Sequence, residues 1–489
     1  MSRTFESLRF HNYRLWFLSA LVANIGTWMQ RVAQDWLVLT HLSDDSGIAV
    51  GIVTGLQFAP VLFATPLGGL LADRVNRRHL LMATQSALGI LAAALGILVL
   101  TDTAELWHVY VFALLLGTVS ALDNPARMTF VGELVPRQSM ANAVGLNGAS
   151  FNAARLVGPG VAGLMIAAVG PGWVFIINAA TFAATILGLA LMRTVELIAM
   201  PGAPKKKGQL REAVRYVRGR PDIKLIMVVM SVMSALGLNF QLTSAVMARE
   251  AFDRGAGEYG LLGSILAIGS LTGALLAARR SRPRLRLVVG SVFFFGACMG
   301  LSALMPSYWL YAVSGIPVGF FATTAMNSAN ATVQLSTSPQ VRGRVMSLYM
   351  MVFLGSTPIG SPLVGWIAET FGARWSVGVG AIASMAVALW SLWYAYRHWD
   401  VHLTYQRHPR PHLLVESGRL DDAEPESRGA ANGSGEAEAG NATNRADHAT
   451  PEDNADENGK DMAEDDDRTG KAKSDDDDEW PLERPEPRS

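Results

Sequence analysis

The first 400 residues alternate between long apolar runs and short polar breaks. One run, from Leu80 to Leu100, contains no charged residue. A helix of that length spans about 30 Å, which is the thickness of the hydrocarbon layer of a membrane. Lipid offers no hydrogen bonds to the backbone, and the ten-residue alternation of barrel strands is absent. Each such run is therefore predicted to be a transmembrane helix.

Twelve runs of this kind predict an all-α polytopic membrane protein. Their approximate bounds are 15–40, 47–71, 80–101, 106–130, 140–168, 173–193, 223–248, 258–278, 286–305, 308–334, 344–368 and 375–396. The longest break between them separates six spans from six. The predicted domains are a six-helix bundle in residues 1–193, a central loop in 194–222, a second six-helix bundle in 223–400 and a tail in 401–489.

The two halves share a register of small and aromatic residues at a spacing of 202. The matching pairs are Gly117 and Gly319, Gly158 and Gly360, Gly163 and Gly365, Gly170 and Gly372, and Trp173 and Trp375. Two parallel repeats of six helices are the architecture of one large class of secondary transporters.

Charge is scarce in the spans and unevenly distributed in the loops. Only 17% of the residues are charged. With a cytoplasmic amino terminus, 27 Lys and Arg fall on the cytoplasmic side and three, Arg249, Arg254 and Arg374, fall outside. The positive-inside rule therefore predicts a multi-pass protein of the inner or plasma membrane with both termini in the cytoplasm.

The tail has a different composition from the membrane part. Residues 416–489 contain 24 acidic and 9 basic residues and few apolar ones. Such a segment cannot bury enough apolar surface to fold, so the tail is predicted to be a disordered cytoplasmic polyelectrolyte. A regulatory role, or a basic partner, is the alternative interpretation.

The break between the second and third spans carries a compact charged motif. Residues 69–78 read GLLADRVNRR, which resembles the loop signature of the major facilitator superfamily. A turn that only follows the positive-inside rule would account for the arginines of this motif but not for Asp73. The resemblance implies that this loop latches the two halves together on the cytoplasmic side. The latch residues are Gly69, Asp73, Arg74, Arg77 and Arg78, with Asn76 at a position where the superfamily has a glycine in a left-handed turn.

The fifth span carries a second motif of small residues. Its members, Gly145, Ala154, Gly158, Pro159 and Gly163, resemble the antiporter motif of the same superfamily, with Pro159 predicted to bend the helix. Close helix packing explains the same spacing.

A wider resemblance points to one branch, the enterobactin and macrolide exporter-like permeases. The stretches that carry it are FHNYRLWF at 10–17, GTWMQRVAQDWLVLTHL at 26–42, ALDNPAR at 121–127, NAARLVGPGVAG at 152–163 and RGRVMSLY at 342–349. The outer half of the fourth span lacks the arginine that drug/proton antiporters of the superfamily carry there. The sequence therefore does not identify the route that protons would take.

Polar groups inside the spans are candidate functional residues because they are costly in lipid. Asn24, Trp28, Arg31 and Asp35 recur every three or four residues and share one helical face of the first span. An ion pair between Arg31 and Asp35 is the alternative interpretation. Asp35 is the first candidate for a proton-carrying acid.

The other spans supply further candidates. Asp123 is the second candidate acid, although a pair with Arg127 one turn away is the simpler interpretation. Asn152 and Arg155 lie one turn apart in the fifth span, and Arg155 needs an acid such as Asp35 or Asp123, or carbonyl oxygens. Asn327 and Asn330 share a face with Gln334 in the tenth span, either to bind substrate or to hold helices together.

Other chemistries have little support in the sequence. The GxxxxGK[ST] stretch of nucleotide-binding loops is absent, and His398 and His402 have no ligand cluster to complete a metal site. We therefore expect no cofactor, no metal, no nucleic acid and no enzymatic activity.

The sequence thus predicts a secondary transporter that exports a small organic molecule by alternating access in exchange for protons. Its expected partners are the substrate, membrane lipids and an ion gradient, and a monomer is favoured. An importer or uniporter of the same fold is one alternative, and a receptor or scaffold that uses the acidic tail is the other.

Overall fold

The computed structural model describes residues 3–198, 209–278, 285–399, 401–406 and 412–417. Most of the predicted acidic tail, residues 418–489, lies outside the described residues.

Six long helices form the N-terminal half. They are α1 (His11–Leu37), α2 (Gly47–Arg74), α3 (Arg77–Leu100), α4 (Leu106–Leu134), α5 (Met140–Val169) and α6 (Pro171–Ala190). Each follows one of the predicted spans within a few residues. A short π-helical segment, Val38–Leu42, extends α1.

The C-terminal half contains the same number of spanning segments, of which two are interrupted. The elements are α7 (Gln209–Arg218) in the central loop, α8 (Pro221–Val232), α9 (Phe240–Val246), α10 (Ala256–Ala278), α11 (Leu285–Ala303), α12 (Tyr308–Ser336), α13 (Arg342–Gly355), α14 (Thr357–Phe371) and α15 (Ala373–Trp399). α8 and α9 belong to one span, Pro221–Ala251, which contains two π-helical segments, and α13 and α14 belong to another, Arg342–Phe371.

Eleven segments of the described chain are long and apolar enough to cross a membrane. α1 is not one of them, because polar residues such as Gln30, Arg31 and Asp35 lie in its second half. Its 27 residues nevertheless reach about 40 Å and pack along α5 and α6. We therefore count α1 as the twelfth spanning helix of an all-α membrane fold.

The glycines of the predicted repeat have equivalent roles in the two halves. A Cβ on Gly117 would lie 2.2 Å from the carbonyl oxygen of Gln57, and one on Gly319 would lie 2.2 Å from that of Leu266. Gly170 and Gly372 both have positive φ, at 84° and 94°, at the turns before α6 and α15. The shared register therefore corresponds to a structural repeat.

The spanning helices end at two faces. The amino-terminal face contains residues 3–10, 75–76, 135–139 and 337–341, and the far face contains residues 43–46, 101–105, 252–255 and 304–307. The two halves meet mainly through α2 against α14 and α5 against α10.

Main-chain contact between the halves is tightest toward the far face. A Cβ on Gly163 would lie 2.5 Å from the carbonyl oxygen of Ala256, and one on Gly365 would lie 2.2 Å from that of Gly47. Nearer the amino-terminal face, a Cβ on Gly145 or Gly148 of the same helix α5 would meet nothing within 4 Å. The cleft between the halves therefore widens toward the amino-terminal face.

The predicted central loop contains helix α7, which docks on the C-terminal half. Its buried residues Ala213 and Val217 face α13 and α8, and Glu212 forms an ion pair with Arg344. Just after α7, both carboxylate oxygens of Asp222 accept hydrogen bonds from Arg220, which raises the pKa of that arginine. Helix α7 of the loop is therefore anchored to the C-terminal half, whereas the backbone N–H of Ile198, near the start of the loop, donates to the backbone carbonyl oxygen of Glu133 of the N-terminal half at 2.9 Å.

The segment predicted to be disordered begins with regular structure. Strands β1 (Val401–Gln406) and β2 (His412–Ser417) pair antiparallel, with Val401 opposite Ser417. Val, Thr and Tyr favour strands, and the overall composition of the tail does not reveal this local preference.

Candidate functional site

An aromatic and cationic cluster lies at mid-depth in the N-terminal half. The guanidinium carbons of Arg31 and Arg155 lie 5.1 Å and 5.7 Å from the ring centroid of Trp28. Phe151 contacts the same indole edge-on at 5.8 Å, and Phe58 of α2 lies 5.8 Å from Arg31. Helices α1, α2 and α5 thus bring together three of the predicted cavity residues.

Arg31 and Arg155 have no carboxylate partner within the described residues. No acidic oxygen of these residues lies within 4.0 Å of either guanidinium group, so the ion pair between Arg31 and Asp35, the alternative interpretation of the sequence, is not formed. Asp35 attracts Arg31 from a longer distance, and the two arginines repel each other. Both side chains are half-buried, and each carries its charge over an aromatic ring rather than against an acid.

Asp35 lies at the boundary between the two halves. It is 6% exposed, and its Oδ2 accepts a hydrogen bond from the hydroxyl of Tyr259 on α10 at 3.4 Å. The ring of Tyr259 also stacks on Trp36 at 5.8 Å. No local pattern pairs Tyr259 with Asp35, because the two residues are 224 positions apart.

Asp123 belongs to a separate network inside the N-terminal half. Its carboxylate accepts hydrogen bonds from Thr84 at 2.5 Å, Gln85 at 2.9 Å and Arg127 at 3.1 Å. The simpler of the two interpretations, a pair with Arg127, is therefore present. The contacts of Asp123 join α3 to α4, whereas the contact of Arg155 is with Trp28 of α1. Asp123 is therefore not the acidic partner of Arg155.

The predicted amide groups are spread over both halves. Asn24 is half-buried one turn before Trp28, and Asn152 donates to the carbonyl oxygen of Gly148 in its own helix. In α12, Gln334 donates to Asn330, and Asn327 is half-buried one turn earlier. The described hydrogen bonds of Asn152 and Asn330 stay within one helix and leave room for other partners.

The small-residue motif of α5 serves two contacts. A Cβ on Gly158 would lie 2.6 Å from the Cβ of Trp28, so this glycine lets α1 and α5 approach. Pro159 lies within α5, and its carbonyl oxygen lies 2.2 Å from the Cβ position of Gly260 on α10. Together with Gly163, these residues place Trp28 beside Arg155 and hold the halves together at the far face.

A small cavity lies in the C-terminal half. Its volume is about 30 Å³, and its polar lining comes from Thr243, Ser244, Ser302 and Tyr311. That volume fits about one water molecule and is far below the size of sites for organic ligands. This cavity is therefore not a substrate site.

The charged loop between α2 and α3 makes its described contacts within the N-terminal half. Arg77 pairs with Glu133 of α4, and Arg78 donates to the last carbonyl oxygens of α6, those of Leu189 and Ala190. Arg74 is exposed. Gly69 lies in α2, and the side chain of Asp73 lies outside the described side chains.

Asn76 differs from the expected left-handed turn residue. Its φ is −60° and its side chain accepts a hydrogen bond from the backbone N–H of His79 at 3.2 Å. It is therefore the N-cap of α3, a position at which Asn is favoured and no left-handed conformation is needed.

Two polar contacts between the halves close the far face. Arg249 pairs with Asp45 at 3.1 Å, and Glu369 of α14 accepts hydrogen bonds from Ser46 at 2.8 Å and from the backbone N–H of Ile48 at 3.4 Å. Glu369 thus lies at the N-terminus of α2, where backbone N–H groups favour a negative charge. We call Asp45, Arg249, Ser46 and Glu369 the far-face clasp. The sequence identified Arg249 only as an outside charge.

The comparison with protein families decides the class of this protein. The profile of the family described as "transmembrane secretion effector", a family of the major facilitator superfamily, matches residues 2–420. The chain belongs to this family. It is a membrane transporter of the major facilitator type and not an enzyme.

Relatives of this transporter agree with the branch that the sequence resembles. The multidrug efflux pump Tap of Mycolicibacterium fortuitum is 29% identical over 370 residues, 72% of this chain and 88% of Tap. The enterobactin exporter EntS of Shigella boydii is 24% identical over 367 residues, 72% of this chain and 84% of EntS. The predicted family and branch are confirmed.

Solved structures support the fold. The crystal structure of a POT family transporter in complex with 5-aminolevulinic acid matches with a TM-score of 0.65 over 79% of this chain and 96% of that chain, at 11% identity. The transporter therefore has the fold of the major facilitator superfamily.

The far-face clasp predicts a local effect on backbone exchange. Arg249→Gln is expected to speed amide hydrogen exchange of residues 43–48 by about fivefold or less, because an exposed pair contributes at most about 1 kcal/mol. Asp45→Asn should have the same effect, and the double variant should be no faster than either single one. Mass spectrometry of exchange measures this. Arg254→Gln, on the same face, is the matched control, and equal acceleration by it would contradict the role of the clasp.

Proposed function

We propose that this transporter exports a small organic molecule from the cytoplasm across the inner or plasma membrane in exchange for protons. The observation that carries the proposal is the shape of the cleft, which is closed at the far face and widens toward the amino-terminal face. The loop charges favour a cytoplasmic position of that face, with both termini inside. A substrate would therefore enter from the cytoplasm and reach the cluster around Trp28.

The names of the relatives support export over uptake. Tap is described as an efflux pump and EntS as an exporter, and both align with most of this chain. A drug or a siderophore is the substrate range that these names favour for this protein.

Alternation requires a second conformation that opens the far face. Opening there would separate Asp45 from Arg249 and Asp35 from Tyr259, because each pair joins the two halves. Asp35 would then lose its hydroxyl partner and meet the outside solution. This exchange of environment is what a proton-carrying acid needs, so we propose Asp35 for that role and assign Asp123 to the stability of the N-terminal half.

Substitution of Asp35 tests the coupling. Asp35→Asn is expected to abolish efflux driven by a pH gradient, because the amide cannot release a proton, while the protein still inserts. Efflux of a panel of antibiotics and siderophores from proteoliposomes measures this. Asp102→Asn, in an exposed far-face loop where φ is 54°, is the matched control, because Asn accepts that conformation. Full pH-driven efflux by Asp35→Asn would remove Asp35 from the mechanism.

We further propose that the loop between α2 and α3 is the latch of the alternative conformation. Arg77 and Arg78 anchor the loop to α4 and α6, and the exposed Arg74, together with Asp73, would meet the C-terminal half when the amino-terminal face closes. Because Gly69 has no side chain, it would let α2 approach the C-terminal half closely at that contact.

Asp73→Asn is expected to slow turnover severalfold while the affinity for substrate stays near normal, because the latch affects the balance between conformations and not the binding site. Turnover in proteoliposomes and equilibrium binding in detergent measure the two effects separately. Turnover equal to that of the wild type would exclude the latch.

A further inference from the structure

The two arginines of the Trp28 cluster differ from another arginine of the same half that also lies over a tryptophan. Arg127 lies 5.5 Å from the ring centroid of Trp16 and also pairs with Asp123 at 3.1 Å. Arg155 lies at the same kind of distance from Trp28, but no described carboxylate pairs with it. The comparison indicates that one acidic partner is missing from the Trp28 cluster.

The location of the cluster makes an unpaired charge costly. Arg155 is near the middle of the 30-residue helix α5, and the cation–π contact offsets only part of the cost of a charge at membrane depth. Asp35 compensates one of the two positive charges from a distance and directs its hydrogen bond toward Tyr259. One positive charge is left without an opposite charge.

The guanidinium groups remain available for a ligand. Neither has an acceptor within the described residues, and none of their nitrogen atoms is completely enclosed, in contrast to Nε of Arg77. A guanidinium group binds a carboxylate or a phosphate through two parallel hydrogen bonds. Trp28, Phe58 and Phe151 add apolar surface beside the two arginines.

We propose that Arg31 and Arg155 form an anion subsite that takes a carboxylate or phosphate group of the transported molecule, with the apolar part of that molecule against Phe58 and Phe151. This inference rests on the proposed transport function and narrows its substrate to organic anions. The bound anion would balance the uncompensated positive charge of this cluster, as Asp123 balances the charge of Arg127 in the same half.

A matched pair of probes tests the subsite in binding, without transport. The full-length protein in a non-ionic detergent is titrated calorimetrically with 2-naphthoate and with its neutral counterpart 2-naphthamide. We expect the wild type to bind the carboxylate about tenfold more tightly, because the charge-assisted hydrogen bonds are made only by the anion. Equal affinities, or no binding of the carboxylate, would overturn the proposal.

Variants of the two arginines test whether the preference for the carboxylate over the amide arises at this subsite. Arg31→Gln and Arg155→Gln should each lose most of it, and Arg155→Lys should retain part, because the ammonium keeps the charge without the planar fork. Arg14→Gln, an exposed arginine on α1, should keep the full preference. Elution profiles and melting curves check that each variant is folded. A preference that survives in both glutamine variants would place the anion elsewhere and contradict the subsite.

The outcome is separable from that of the proposed function. Loss of the anion subsite with pH-driven efflux of other compounds intact would refute only the present inference. Absence of flux for every compound in proteoliposomes, with the anion preference intact, would refute the export function and leave the subsite.

Discussion

Backbone contact between the halves at the far face is the constraint on which the arrangement of the site depends. Gly163 of α5 meets α10, and its repeat equivalent Gly365 of α14 meets α2. A side chain at either position would collide with a main-chain carbonyl oxygen, which cannot move aside cheaply. The two symmetry-related glycine contacts hold the halves together at the far face. At the amino-terminal face the halves stay apart, so the cluster around Trp28 is reached from that side.

The polar groups divide between the two halves in a way that links closure to chemistry. The N-terminal half supplies Trp28, Arg31, Arg155 and Asp35, whereas the C-terminal half supplies Tyr259, Arg249 and Glu369. The ion pair of the clasp is exposed and contributes at most about 1 kcal/mol, which suits a contact that would open in the proposed cycle. In the proposed cycle, the charge state of Asp35 is linked to closure, because its partner Tyr259 would be lost when the halves separate.

Much of the fold was accessible from the sequence, and much of the site was not. The length of the apolar runs predicted the spanning helices, and the 202-residue register predicted the repeat, since both are local properties of the chain. The one-face pattern on α1 identified Arg31 and Asp35 but offered only each other, as the alternative interpretation, for their partners on the same helix. Their partners, Trp28 with Arg155 and Tyr259 with Asp35, depend on how helices rotate and cross. Asp45 and Glu369 lie in ordinary loop and helix-end sequence, and only the closed packing of the halves brings them to Arg249 and Ser46.

The account is tested most directly by measuring both faces of the same molecule while the far face is forced apart. Spin labels on cysteines at Thr103 and Ser307 report the far face, and labels at Gln138 and Gln340 report the amino-terminal face, in a Cys298→Ser background. In Gly260→Val, the new Cβ would lie 2.2 Å from the carbonyl oxygen of Pro159, whereas the Cβ of Gly257→Val would meet nothing within 4 Å. The account predicts that Gly260→Val lengthens the far-face distance and shortens the other, with no change in Gly257→Val. Lengthening at both faces, or an unchanged amino-terminal face, would contradict it.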